Sequence, residues 1–168
     1  MACSDDFSSG SMAQWRTPGG SSDASSNHQG PVNTNFGNSI FDADITPPST
    51  SGNAGLLFRV FNRSIGANAY KGYYAGLDAT GSAFLGRASK SWMQLGRWPA
   101  DVASNNTHHV KVQAIDRALE LFIDDMSKAK ISLTDDTYTS GVNGVQVYDT
   151  GATFESIEIA PLVVSGDF

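Results

Sequence analysis

The stretch HHVKVQAID, residues 108–116, alternates apolar and polar side chains almost without a break. A period of two puts successive side chains on opposite faces of an extended strand. Val110, Val112 and Ala114 therefore share one face, and Lys111 and Gln113 the other. Related patterns recur in SIFDADIT (39–46), GYYAGLDA (72–79), SAFLGRA (82–88), ALELFIDD (118–125), GVQVYD (144–149) and FESIEIAPL (154–162). AGLLFRVFN (54–62) is a continuous apolar run broken by one arginine. Turn residues separate these segments, as in ATGS (79–82) and at Asp116-Arg117. Short strands at a spacing of roughly eight to twelve residues predict an all-β fold, an antiparallel sandwich of two sheets. No segment carries the period of an amphipathic helix.

A chain of 168 residues is expected to form one domain over 1–168. It is long enough to bury a core without disulfide staples. Cys3 is the only cysteine, so no internal disulfide is available. Residues 8–39 are rich in Ser, Gly, Asn and Pro. That composition fits either a linker or loops joining short, irregular early strands, and Trp15 and Phe36 favour the strands. The net charge of −6 and the scattering of 11 basic residues argue against a nucleic-acid partner, which needs clustered Lys and Arg. No apolar run reaches the length of a membrane span. MACSDDF lacks the basic start and apolar run of a secretory leader, as in a chain that begins after a removed one.

Strand parity sorts the candidate functional residues. With Leu56, Phe58 and Val60 in the core, Arg59 faces away. With Tyr73, Ala75 and Leu77 in the core, Tyr74, Gly76 and Asp78 face away. The same rule turns Gln113 outward from one strand, and Gln146 and Tyr148 from another. Arg59, Tyr74, Asp78, Gln113, Gln146 and Tyr148 are then expected on an outward face, with Gly76 as a gap beside Tyr74. A sugar site needs a flat aromatic to stack on the ring and planar polar groups to pair with hydroxyls. These residue types supply both, although arginine and tyrosine are also ordinary on a solvated sheet. Trp92 is either a rim contact of the same site or a hydrophobic lid.

The segments SGNAGLLFRVFN, AYKGYYAGLDATGSAFLGRASKSWMQL, HHVKVQAIDRALELFIDDM and DDTYTSGVNGVQVYDTGATFESIEI together resemble the concanavalin-A-like jelly-roll domains appended to secreted glycoside hydrolases. The resemblance covers roughly residues 40–160 and extends to laminin-G-like modules and a fructan-binding family of carbohydrate-binding modules. It implies a secreted, monomeric, non-catalytic module that brings a parent glycoside hydrolase to a plant or microbial polysaccharide. It also implies a structural calcium held by Asp6 and Glu155, because the DDF and TFESI segments are similar to segments that meet near such an ion. Two alternatives stay open. One is a laminin-G-like protein-interaction domain. The other is a glycoside hydrolase, which needs two facing carboxylates. Glu155 and Glu158 are three apart, so on a regular strand they point to opposite faces, and no catalytic residue is expected. His108 and His109 are strand neighbours and cannot converge on one metal ion.

Overall fold

The computed structural model describes residues 3–5, 15–16, 26–31, 35–47, 51–64, 68–99, 106–148 and 152–162. Among these there is no helix, and the strands form two antiparallel sheets. The six-stranded sheet runs β1 (Cys3–Asp5), β13 (Thr153–Pro161), β4 (Ser39–Thr46), β9 (His108–Ile115), β10 (Ala118–Ile123) and β11 (Ile131–Thr134). The seven-stranded sheet runs β2 (Trp15–Arg16), β3 (Ser26–Pro31), β12 (Val142–Tyr148), β5 (Asn53–Phe61), β6 (Lys71–Asp78), β7 (Ala83–Ser89) and β8 (Trp92–Trp98). The Ser/Gly/Asn-rich early segment thus supplies β2 and β3 at one edge of the seven-stranded sheet, and Cys3–Asp5 before it forms an edge of the other. Sheet neighbours far apart in sequence, such as β4 beside β13 and β5 beside β12, give the jelly-roll order.

Alternation builds the interior. Phe41, Ala43 and Ile45 of β4 and Val110, Val112 and Ala114 of β9 point inward, opposite Leu56 and Phe58 of β5 and Tyr73, Ala75 and Leu77 of β6. Fully burying one large apolar side chain contributes about 1.5–3 kcal/mol, so this layer is the main source of stability. Tyr73 lies stacked on Phe58 at 5.2 Å between ring centroids. Its hydroxyl leaves the core to donate to Asp135 Oδ1 at 2.5 Å and accepts from the Tyr138 amide at 3.2 Å. Asp135 also pairs with Arg87, which ties the 135–138 segment to β6 and β7.

The seven-stranded sheet carries a second, smaller hydrophobic cluster, made of Leu57, Val60, Tyr70, Tyr74, Phe84 and Ala88 with Trp92 and Val142 against it. Val60 belongs here and not to the interior. The reason is a bulge: the β5–β6 register slips between Phe58 and Phe61, and Arg59 takes φ 52°. The bulge changes the phase of the strand, so simple alternation fails from Arg59 onward.

Glycines permit the closest approaches. A Cβ on Gly76 would lie 2.3 Å from the Ala54 carbonyl oxygen and 2.8 Å from Gly55 Cα. A Cβ on Gly55 would lie 2.2 Å from the Ala75 carbonyl oxygen. The bare Gly55–Gly76 pair is therefore a requirement of how β5 packs beside β6, as well as a gap in the sheet face.

Candidate binding site

Register across five strands creates the site. Gln146 on β12 pairs with Gly55, Gly55 with Gly76, Gly76 with Phe84, and Phe84 with Arg97 on β8. The row begins with an amide, crosses two glycines that offer no side chain, and ends with an aromatic and a guanidinium. The adjacent row is Tyr148, Asn53 and Asp78. The row on the other side contains Leu57, Tyr74, Gly86 and Gln94. Together these rows bound a cavity of about 310 Å³ lined by Asn53, Asn68, Tyr74, Asp78, Phe84, Trp92, Gln94, Arg97, Gln146 and Tyr148. That volume lies at the lower end of the usual range for ligand pockets.

One wall is aromatic. Tyr74 meets Phe84 edge-on at 5.2 Å and Trp92 at 6.1 Å, and Phe84 meets Trp92 at 5.9 Å. Trp92 reaches this position because Gly86 has no side chain: a Cβ there would lie 2.5 Å from the indole. Tyr74 is 3% exposed. Its hydroxyl donates to Asn53 Oδ1 at 2.7 Å, and burial, with Tyr70 nearby, raises its pKa well above the ordinary value. The hydroxyl therefore stays neutral and helps to fix Asn53. The flat aromatic surface open to solvent is that of Tyr148, 41% exposed at the rim.

The opposite wall is polar. Burial acts to raise the pKa of the Asp78 carboxyl, but hydrogen bonds from Thr80, Ser82 and Arg97 outweigh it and hold the group below its ordinary value. Oδ1 accepts from the Thr80 amide at 2.9 Å, the Thr80 hydroxyl at 2.6 Å and the Ser82 amide at 3.1 Å. Oδ2 accepts from Arg97 Nη2 at 2.7 Å. Gln146 is 3% exposed, and its side-chain oxygen Oε1 is buried with no hydrogen-bond partner among the described residues. A buried acceptor left in that state costs about 1–3 kcal/mol, which a ligand hydroxyl at this point would recover.

The structure brings Tyr74, Asp78, Trp92, Gln146 and Tyr148 to one cavity. It places Arg59 elsewhere: the side chain is 1% exposed, with Nε donating to the Gly37 carbonyl at 2.9 Å, Nη1 to the Tyr138 carbonyl at 3.2 Å and Nη2 to Asn38 Oδ1 at 3.4 Å. The bulge at Arg59 is the physical reason, and Arg59 is a structural clamp. Gln113 does point outward, but from the other sheet, where its Nε2 lies 3.5 Å from Glu120. Tyr74 is too buried to offer a stacking face. Asn53, Asn68, Phe84, Gln94 and Arg97 complete the lining without having been anticipated. Parity alone marks Asn53, because it shares a face with Gly55 and Leu57. Gln94 and Arg97 lie on either side of a register shift in β7–β8 that no residue pattern announces.

Asp6 lies outside the described residues. Glu155 is exposed on β13, across from Asp44. A bulge between Glu155 and Glu158, with Ser156 at φ 50°, pairs Glu155 with Asp44 and Glu158 with Asp42. Both glutamates therefore face the same side, contrary to the expectation from spacing. His109 joins them there, with Nδ1 2.8 Å from Asp44 and Nε2 3.1 Å from Asp42. Among the described residues no group of three or more His, Cys, Asp or Glu is arranged to hold a metal ion.

No family model matches the chain. A levanase from Bacillus sp. (strain L7) is 30% identical over 113 residues, which are 66% of this chain and 12% of the levanase. The chain thus corresponds to a small part of that curated relative. Among solved structures, the carbohydrate-binding module CBM66 from Bacillus subtilis superposes with a TM-score of 0.73 at 18% identity, covering 88% of this chain and 96% of that one. The VIP36 exoplasmic/lumenal domain, in its Ca2+/Man3GlcNAc-bound form, superposes at 0.68 with 14% identity over 94% of this chain and 87% of that one. Bacillus licheniformis β-glucanase superposes at 0.67 with 9% identity over 96% and 98%. By fold, the chain is a concanavalin-A-like jelly-roll sandwich, the architecture expected from its sequence.

Proposed function

We propose that the chain is a carbohydrate-binding module of a secreted glycoside hydrolase, and that the cavity between Gln146 and Arg97 holds the sugar. The observation that carries this reading is Gln146 Oε1, a buried acceptor without a partner among the described residues, at the edge of a cavity that combines an aromatic wall with Asn, Gln and Arg side chains. The charges of Asp78 and Arg97 cancel, which favours a neutral saccharide. A levanase is a sequence relative, so the first ligand to test is the β-fructan levan. Tyr148 stacks on the ring, and Asn53, Gln94, Arg97 and Gln146 pair with hydroxyls.

The module is non-catalytic in this reading. Asp78 is the one carboxylate among the described lining residues, and its oxygens are taken by the turn and by Arg97. Glycoside hydrolysis needs a second carboxylate and a free proton donor. Glu155 lies on the six-stranded sheet and the cavity on the seven-stranded one, so the sugar site proposed here does not include the expected calcium site.

Calorimetric titration against levan, inulin, arabinan, xylan and galactan tests the proposal, with reducing-sugar release measured in parallel. The expected result is binding to at least one neutral polysaccharide, weakened tenfold or more in Gln146→Met, with no sugar released. Absence of binding across the panel, or full affinity in Gln146→Met, overturns the assignment of the cavity.

A further inference from the structure

The hairpin 78–82 carries more hydrogen bonding than its turn requires. Gly81 takes φ 80°, and the Asp78 amide bonds to the Ser82 carbonyl at 3.0 Å. Acceptance of the Thr80 and Ser82 amides by Asp78 Oδ1 already closes an Asx-type turn. The Thr80 hydroxyl adds a separate connection. It donates to Asp78 Oδ1 at 2.6 Å, and Arg97 Nη2 donates to the same hydroxyl oxygen at 3.2 Å. A hydroxyl has one hydrogen and two lone pairs, so donating to Asp78 leaves Thr80 Oγ1 to accept from Arg97.

The side chain held in this way would otherwise be free. The Arg97 side chain is 41% exposed on edge strand β8. An exposed ion pair contributes little to stability, while immobilising a long arginine has an entropic cost. Ordering of Arg97 by both Asp78 and Thr80 is therefore poorly explained by folding alone. Both bonds leave from Nη2. Among the described residues the N–H groups on Nη1 and Nε have no other acceptor and remain for ligand oxygens, across the cavity from the acceptor Gln146 Oε1, which likewise has no partner among them.

Resting on the carbohydrate reading of this cavity, we infer that Arg97 is a sugar-hydroxyl donor and that Thr80 is the positioning residue that aims it, through the chain Arg97 Nη2, Thr80 Oγ1, Asp78 Oδ1. Thr80 does not touch the sugar in this arrangement. Its hydroxyl sets where the guanidinium points and keeps Asp78 ionised as the partner of Arg97. Arg97 is the charged group that faces Asp78 in the cavity, and Tyr74 and Tyr148 are the titratable groups that share it.

The test compares wild type, Thr80→Val, Thr80→Ser and Arg97→Lys on the five-polysaccharide panel, from pH 3 to 8, with melting followed alongside. Valine keeps the β-branched shape and the amide bond of the turn but removes the hydroxyl. The expected result is a loss of affinity on the order of tenfold in Thr80→Val, at least as large a loss in Arg97→Lys, and restoration in Thr80→Ser. The acid limb of binding is expected to move to higher pH in Thr80→Val, because Asp78 then protonates more easily. Wild-type affinity and an unchanged acid limb in Thr80→Val, or a serine variant no better than valine, overturn the inference and leave the carbohydrate reading standing. A wild type that binds no glycan of the panel overturns both.

Discussion

Replacing Arg59 by leucine is the sharpest test of the register in β5. The guanidinium is buried and bonds to the carbonyls of Gly37 and Tyr138 and to the Asn38 side chain. Asn38 in turn bonds to Asp116 through its Nδ2 at 3.1 Å and accepts from the Asp116 amide at 2.7 Å. One side chain therefore joins the end of β5, the residues preceding β4 and the β9–β10 turn. Leucine retains most of the apolar stem but leaves two carbonyls without a donor, at about 1–3 kcal/mol each. Relief of the buried cation's desolvation offsets part of this. Burial, the largest influence on Arg59, indeed pulls its pKa below the ordinary value, with Tyr73 and Asp116 opposing. The net loss is about 2–5 kcal/mol. At about 2–4 °C per kcal/mol for a chain of this size, the melting temperature falls by roughly 4–20 °C. Differential scanning calorimetry and urea titration measure this, and glycan binding is assayed well below the transition. Arg59→Leu is expected to keep its affinity and lose stability. A variant that melts within about 2 °C of wild type but no longer binds would show that Arg59 faces the ligand and that the bulge is misplaced.

Gly76→Ala is expected to destabilise by about 1–3 kcal/mol or more, because its Cβ meets backbone atoms that cannot turn aside. Gly96→Ala, whose nearest neighbour is the Ile131 side chain at 2.7 Å, is expected to lose less in the same urea titration. Tyr148→Ala is expected to weaken glycan binding by about 1–3 kcal/mol with little change in melting. Tyr73→Ala is expected to lose about 3–5 kcal/mol of stability. Burial tends to raise the pKa of Asp78 and of Asp135, yet hydrogen bonds hold both below the ordinary value. Their stabilisation is therefore complete above the unfolded-state pKa of about 4 and is lost as pH falls through the folded-state values. Melting measured from pH 6 to 2 is expected to show this acid limb, flattened in Asp135→Asn.

Much of this architecture was legible in the sequence because alternation is a local property. Strands β6, β9 and β12 keep perfect period two, and the inward and outward sets read from them match the structure. Failures occur where one residue breaks the phase. Arg59 and Ser156 adopt positive φ without being glycine or asparagine, so nothing in RVFN or FESIE announces a bulge. Gln113 shows a second limit: parity says which way a side chain turns from its strand, but sheet membership is set by non-local pairing. The cavity suffered from both. Arg97 lies beyond a register shift, and Trp92 reaches the cavity only because of the missing side chain at Gly86.

The two adjacent tyrosines show how the site is held. Tyr73 points inward, stacks on Phe58 and sends its hydroxyl to Asp135. Tyr74 points outward, packs against Phe84 and Trp92 and sends its hydroxyl to Asn53. Successive residues of one strand thus anchor it to the interior on one side and to the smaller outer cluster on the other. A strand fixed on both faces cannot slide or twist without breaking both contacts. Asn53, Asp78 and the glycine pair therefore hold their places relative to Gln146 and Arg97. Such preorganisation reduces the entropy lost when a ligand binds. In the proposed sugar site it also accounts for the buried Tyr74: few exposed aromatics are needed, here Tyr148, if others hidden behind the wall keep the polar groups in register.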